Sequence, residues 1–304
     1  MGIDINLTQK GIFKKKINLQ IIKDAAKTLK IATSDNFFRI KTYKDEPLDQ
    51  ITLLLYDPNL LSRGFTLEVN KKDTACFLRQ TYFCNDNDIY NFFQFIKNLA
   101  SLLNINEYEK DGESFPIHDI PTQTEKEINF NRHTLIDLLK RFDDDDFPNI
   151  IYAVKNPISI ETAVAEELLQ MKEEDVMKYW SNYLHEKQKD DYYYACPSFY
   201  HDKTQKDIIF GSYALTENCY SVFPTEPYIP YGYNLKTEDI SNYQISIVDD
   251  KDFNVIAIIP YEDLWKYFPI ETLKPYDSRH VYLLLTRDII NNLKEKDPKA
   301  SNIK

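Results

Sequence analysis

Apolar positions along the chain change period several times. In NDNDIYNFFQFIKNLASLL (85–103), Ile89, Phe92, Phe93, Ile96, Leu99, Ala100 and Leu103 fall three or four residues apart. That spacing predicts an amphipathic helix with Asn85 or Asp86 as its N-cap. Ahead of it, INL, NFFRIKTY (36–43), ITLLLYD (51–57), FTLEV and ACFLRQTYF (75–83) are β-branched or aromatic runs bounded by turn residues, and they predict strands. NEYEKDGESFPI predicts a hairpin turning at Asp111–Gly112. NRHTLIDLLKRF predicts a short helix, followed by the acidic DDDDFPN, and NIIYAV (149–154) a strand. From Ser159 to about Lys187 the pattern reads as one helix, with Val164, Leu168, Trp180 and Leu184 on a stripe. Strand signals then return in YYYACPSFY, DIIFGSYAL, YQISIVDD paired with NVIAIIP, and HVYLLLT, with short helices at YEDLWKYF and RDIINNLKEK.

Strands and helices do not alternate regularly, and the gaps between neighbouring strands are turn-sized. The order predicts an α+β fold of mostly antiparallel sheets with flanking helices. The acidic, proline-punctuated stretch at 142–150 offers a seam between an N-terminal lobe, 1–145, and a C-terminal lobe, 146–304, with one continuous domain as the alternative.

Composition narrows the function classes. With 304 residues, 43% of them hydrophobic, the chain can bury a large core. Its net charge of -11 argues against nucleic acid as a partner, because phosphate neutralisation needs a clustered basic surface. Lys10, Lys14, Lys15 and Lys16 form the one basic cluster, read as a solvated strand edge or turn. No apolar run approaches the ~18 residues of a membrane span. The N-terminus lacks a signal-peptide apolar region, and Asn6 stands where a myristoylation signal wants Ser or Thr. The expectation is a cytoplasmic protein with neither nucleic acid nor membrane as partner. Cys76, Cys84, Cys196 and Cys219 form no metal-type pairing and read as reduced thiols.

The motifs that usually carry chemistry are missing. The six glycines lie too far apart for a dinucleotide fingerprint or a phosphate loop, and no serine sits in GxSxG. The DDDD run (143–146) reads as a solvated turn. Asp250, Asp252 and Asn254 begin like a calcium loop, but Val255 and Tyr261 stand where Gly and Glu are required. His133 and Asp137 share a helix face without further ligands, and Cys196, Ser198, His201 and Asp202 cluster along the chain rather than through space. Neither a cofactor nor a metal is expected. Arg63, before Gly64, and Arg79, on a strand face with Phe77, Thr81 and Phe83, are candidate anion clamps. The competing reading pairs each with a carboxylate.

The densest feature is CYSVFPTEPYIPYGY (219–233), in which Tyr220, Phe223, Tyr228, Tyr231 and Tyr233 lie among Pro224, Pro227 and Pro230. The prolines fix φ and remove amide donors, which predicts a rigid extended loop rather than an interior strand. Its rings either pack onto the domain or rim a binding site.

SRGFTLEV, FLRQTYF leading into NDIYNFFQFIKNLASLL, EKDGESF and GSYALTENCYSVFPTEPYIPYG occur in that order. This succession resembles a bacterial family of about this length known only as a domain of unknown function. The resemblance implies a soluble bacterial protein with no assigned activity, cofactor or catalytic residue. The residues themselves point to a non-catalytic module that binds a partner protein or small ligand. The alternatives are a hydrolase or transferase whose site gathers distant residues such as Arg79, His201 and a carboxylate, and an acidic immunity- or inhibitor-type protein that blocks a cationic partner.

Overall fold

The computed structural model describes residues 1–34, 40–41, 46–141, 150–202, 208–230, 233–268 and 270–296. The DDDD run and Tyr231 lie outside them, as does most of the strand expected at 36–43. The fold is α+β with mostly antiparallel sheets, as the element order predicts. By internal packing the chain forms two compact units, Met1–Lys189 and Asp190–Lys304.

The first unit runs β1 (Gly2–Thr8), α1 (Leu19–Ala26), β2 (Lys30–Ser34), β3 (Ile40–Lys41), β4 (Leu53–Tyr56), β5 (Phe65–Val69) and β6 (Ala75–Thr81). It continues with α2 (Asp86–Leu103), β7 (Glu107–Lys110), β8 (Glu113–Pro116), α3 (Ile120–Lys140), β9 (Ile150–Tyr152), β10 (Pro157–Ser159), α4 (Thr162–Gln170) and α5 (Glu173–Glu186). Strands β1 to β8 form one antiparallel sheet in the order β3-β2-β4-β5-β6-β1-β7-β8. Apolar alternation fixes its register. Leu78 lies between Ile5 and Leu67, and Cys76 between Leu7 and Val69, all buried on one face. That face packs on α1 and α2. Phe65 meets Phe92 and Phe95 with centroids 5.4 Å apart, and burying each ring stabilises by roughly 1.5–3 kcal/mol. Asn85 caps α2 by accepting from the Asp88 amide at 2.8 Å. The β7–β8 turn is the expected two-residue one, with Asp111 and Gly112 both at positive φ.

Two helices differ from their sequence pattern. NRHTLIDLLKRF is the second half of the 21-residue α3. Its first half is hidden from pattern reading because, after Ile120, the buried positions there are Gln123 and Glu127, and the next one, Asn131, is polar too. The helix expected over 159–187 is two, α4 and α5, broken at Met171–Lys172. Its predicted stripe is nevertheless the core of a second cluster, where Val164, Leu168, Trp180 and Leu184 pack with Leu135, Leu138, Leu139 and Ile151.

The second unit holds β11 (Tyr193–Tyr194), β12 (Pro197–His201), β13 (Ile209–Thr216), β14 (Tyr220–Pro224), β15 (Ile240–Val248), β16 (Val255–Pro260), α6 (Leu264–Tyr267), β17 (Lys274–Pro275), β18 (His280–Leu284) and α7 (Arg287–Lys296). They form two four-stranded sheets, β12-β13-β15-β16 and β11-β14-β18-β17. YYYACPSFY therefore splits between sheets. Strands β13 and β15 are parallel, which demands a long crossover, and β14 with the aromatic segment supplies it. Phe223, Tyr213, Ile245, Ile259, Leu283 and Ile290 meet in one core beneath both sheets.

Here one expectation is corrected. The first residues of the aromatic segment form an interior strand, since β14 pairs with β11 on one side and β18 on the other. The prolines permit it because Pro224 stands at the last position of the ladder, opposite His280, while Pro227 and Pro230 come after it.

Candidate functional site

The aromatic segment divides its side chains between core and surface. Phe223, on β14, is fully buried. Tyr220, on the same strand, is exposed and joins a ring cluster with Tyr192 and Tyr282, at 5.7 and 6.1 Å. Tyr233 donates its hydroxyl to the Pro197 carbonyl at 3.1 Å and packs edge-on against Phe199.

Tyr228 ties the loop down. Its backbone N–H donates to the Tyr213 hydroxyl, which donates in turn to the Tyr228 carbonyl, both at 3.1 Å. Its own hydroxyl lies 3.2 Å from that of Tyr194 and 3.3 Å from His280 Nε2. His280 opens β18, with its ring Nδ1 2.7 Å from Asp277 Oδ1 and its Nε2 2.6 Å from the Tyr194 hydroxyl. With Nδ1–H donating to the carboxylate, Nε2 accepts from Tyr194. Burial first, and then the Tyr228 phenol beside it, push the Tyr194 hydroxyl well above the usual tyrosine range, so it remains a donor. The side chains of Asp277 and His280 are 0% exposed. The Asp277–His280–Tyr194–Tyr228 chain is an internal tie that satisfies buried polar groups and fixes the loop.

Beside the fixed loop lies a cavity of about 610 Å³. Pro227, Tyr243, Tyr261 and Trp265 contribute apolar surface, and Glu226, Glu262, Asn242 and Gln244 contribute polar groups. Each wall has a structural cause. Tyr261 is held by a hydrogen bond from its hydroxyl to the Pro224 carbonyl. Tyr243 comes from β15, where its ring lies close over Gly211: a Cβ at Gly211 would meet the ring at 2.5 Å. Trp265 projects from α6 and is 45% exposed. A second, more open concavity of about 840 Å³ adjoins the first and shares Pro227 and Tyr243 with it; Tyr228 and Tyr233 line it too. Among the described residues, no lysine or arginine lines the first cavity. Lys266, next in the chain to Trp265, is drawn to Asp263.

The two arginines singled out in the sequence belong to the first unit. Arg63 Nε donates to the Tyr152 carbonyl at 3.0 Å and Nη1 donates to the Tyr82 carbonyl. The backbone N–H groups of Arg63 and Gly64 both donate to Asp88 Oδ2 at 2.8 Å. Burial lowers the Arg63 guanidinium to about 10 and raises the Asp88 carboxyl to about 6. Arg79 lies on the exposed sheet face, 3.6 Å from Asp4, its cross-strand neighbour. His201 closes β12 in the second unit, so Arg79 and His201 are in different units.

The calcium-like stretch is the turn of the β15–β16 hairpin, as expected. Asp249 in this turn shares Arg287 with Glu217, which follows β13, and Asp250 accepts from Asn218 Nδ2 at 2.8 Å, so protein groups hold these carboxylates. His133 and Asp137 each face another residue, Glu173 and Lys140.

Sequence reasoning did not single out Tyr194, Asp277 and His280, which converge from distant positions, or Tyr243, Tyr261 and Trp265 as cavity walls. The available signal was YDSRH, an aspartate three residues before a histidine that opens a strand.

The family described as Domain of unknown function (DUF4299) matches residues 2–293, and the chain belongs to it. No curated protein and no solved structure matches the chain.

Proposed function

We propose that this chain is a non-catalytic binding module whose second unit takes a cationic group, an alkylammonium or guanidinium, of a small ligand or partner protein. The observation that carries the reading is the 610 Å³ cavity, walled by Tyr243, Tyr261 and Trp265, edged by Glu226 and Glu262, and lined by no basic residue among those described. Aromatic faces attract cations by about 0.5–2 kcal/mol each, depending on desolvation. The two carboxylates add Coulombic attraction at the rim. A chain of net charge -11 steers a cationic partner toward itself. The buried tie through Tyr228 supports the reading because a preformed wall costs little ordering on binding.

Trp265 reports directly on the cavity, since the other tryptophan, Trp180, is buried in the first unit. Choline and its neutral isostere 3,3-dimethylbutan-1-ol provide the test, read as Trp265 emission. Choline is expected to bind saturably and about tenfold more tightly than the isostere, with E226Q/E262Q removing most of the difference. Equal binding of the two would leave a binding site without charge selection. No response to either, nor to ethylguanidinium, would remove the reading.

A further inference from the structure

We propose that the loop between β1 and α1 docks the chain onto an anionic lipid surface. This rests on the first unit and is independent of the cavity in the second. The loop has a built base. Gln9 is buried, and its side-chain amide acts like a strand partner to Lys15, donating to its carbonyl at 2.7 Å and accepting from its N–H at 2.8 Å. Ile17 is buried, and its N–H donates to the Asp73 carbonyl at 2.7 Å. Between these anchors Gly11 turns the chain at φ +93°, and Ile12 and Phe13 project from the tip, 93% and 99% exposed. An unstructured loop would let such side chains fold back; this one holds them out.

The flanks carry the charge. Lys10, Lys14, Lys15 and Lys16 are all exposed, a local exception in an acidic chain. Lys10 pairs with Glu107 at 3.0 Å, and Lys15 Nζ donates to the Leu102 carbonyl at the end of α2 at 2.9 Å. Lys14 and Lys16 have no partner among the described residues. An apolar tip ringed by lysines matches the layering of a bilayer surface, with acyl chains beneath anionic headgroups.

The shape favours lipid over protein. A stable protein interface buries about 800 Å² per partner, and a two-residue projecting tip offers far less. A bilayer needs no complementary pocket and closes around a convex tip. No helix among the described residues is long and apolar enough to cross a membrane, so the contact is peripheral. Two apolar side chains with a few lysines give weak, reversible attachment, on the order of that from a single acyl chain.

The test is co-sedimentation of the full chain with vesicles of phosphatidylcholine alone, or with about a third of the lipid replaced by phosphatidylserine. The wild-type chain is expected to sediment with the anionic vesicles at low salt, and at least about thirtyfold less with the neutral ones. I12S/F13S should lower binding by about a hundredfold, and K14Q/K16Q by about thirtyfold. Both variants should keep the wild-type thermal unfolding curve, because none of these side chains enters the core. Failure of the wild-type chain to sediment would overturn the proposal, as would equal sedimentation of I12S/F13S. Self-association abolished by F13S, without vesicle binding, would assign the tip to a second copy and overturn it as well.

Discussion

Asp88 gives the sharpest stability test. Its Oδ2 accepts from the Arg63 and Gly64 amides at 2.8 Å, next to a guanidinium whose charged form burial disfavours. Replacing Asp88 by Ala leaves two buried amides without an acceptor and the guanidinium without its neighbouring charge. At about 1–3 kcal/mol for each orphaned group, D88A should cost about 3–5 kcal/mol. D88N keeps an acceptor and loses the charge, so it should cost less and change the pH dependence. The folded-state carboxyl titrates at about 6, against 3.8 in the unfolded chain. Between those values the folded chain holds the proton that the unfolded chain has released. Stability from this group is therefore complete below pH 3.8 and declines as pH rises through about 6. At 1.36 kcal/mol per pH unit the decline is about 3 kcal/mol. Urea unfolding followed by Trp180 fluorescence in a W265F background isolates the first unit. The stability difference between D88N and wild type should shift in favour of D88N by most of that amount, about 2.4 kcal/mol, from pH 4 to pH 7. A difference flat across that range, or a D88A cost under about 1 kcal/mol, would refute the reasoning.

Two further substitutions follow from the same geometry. G64A forces a side chain into φ +62° and sets its Cβ 2.6 Å from the Leu55 carbonyl, so it should lower first-unit stability by at least about 2 kcal/mol in the same urea assay. H280A leaves a cavity, removes a partner of the buried Asp277 and takes the acceptor from Tyr194; a loss of about 3 kcal/mol in second-unit thermal unfolding and faster proteolysis within 225–230 are expected, and an unchanged cleavage rate would show that the tie does not fix the loop.

How much of this was legible in the sequence depends on where the partners lie. Helix α2 was legible because its buried face is apolar at local spacing, from Ile89 to Leu103. The first half of α3 was not, because after Ile120 its buried positions are Gln123 and Glu127, and these, like Asn131 where the second half begins, are polar with partners that come from elsewhere. Lys110 and Tyr82 reach Glu127, and Phe83 and Cys84 engage Asn131. A helix whose buried stripe is polar looks exposed until its partners are known. The aromatic segment was legible as rigid, but proline position within a ladder depends on pairing, and only the β18 register shows Pro224 at its end. For the site, Tyr228 was named from its local pattern, whereas Tyr194 and His280 lie 86 residues apart and meet only through β14 and β18. Trp265 was read as part of a short helix, which α6 is; that its ring faces a cavity depends on β15 and the loop.

The most direct measurement of the central claim is a crystal structure of the chain soaked with choline. The account predicts the quaternary nitrogen in the cavity beside the aromatic loop, within about 6 Å of the Trp265 or Tyr243 ring and facing Glu226 or Glu262. Choline bound elsewhere, with this cavity empty at saturating concentration, would contradict it.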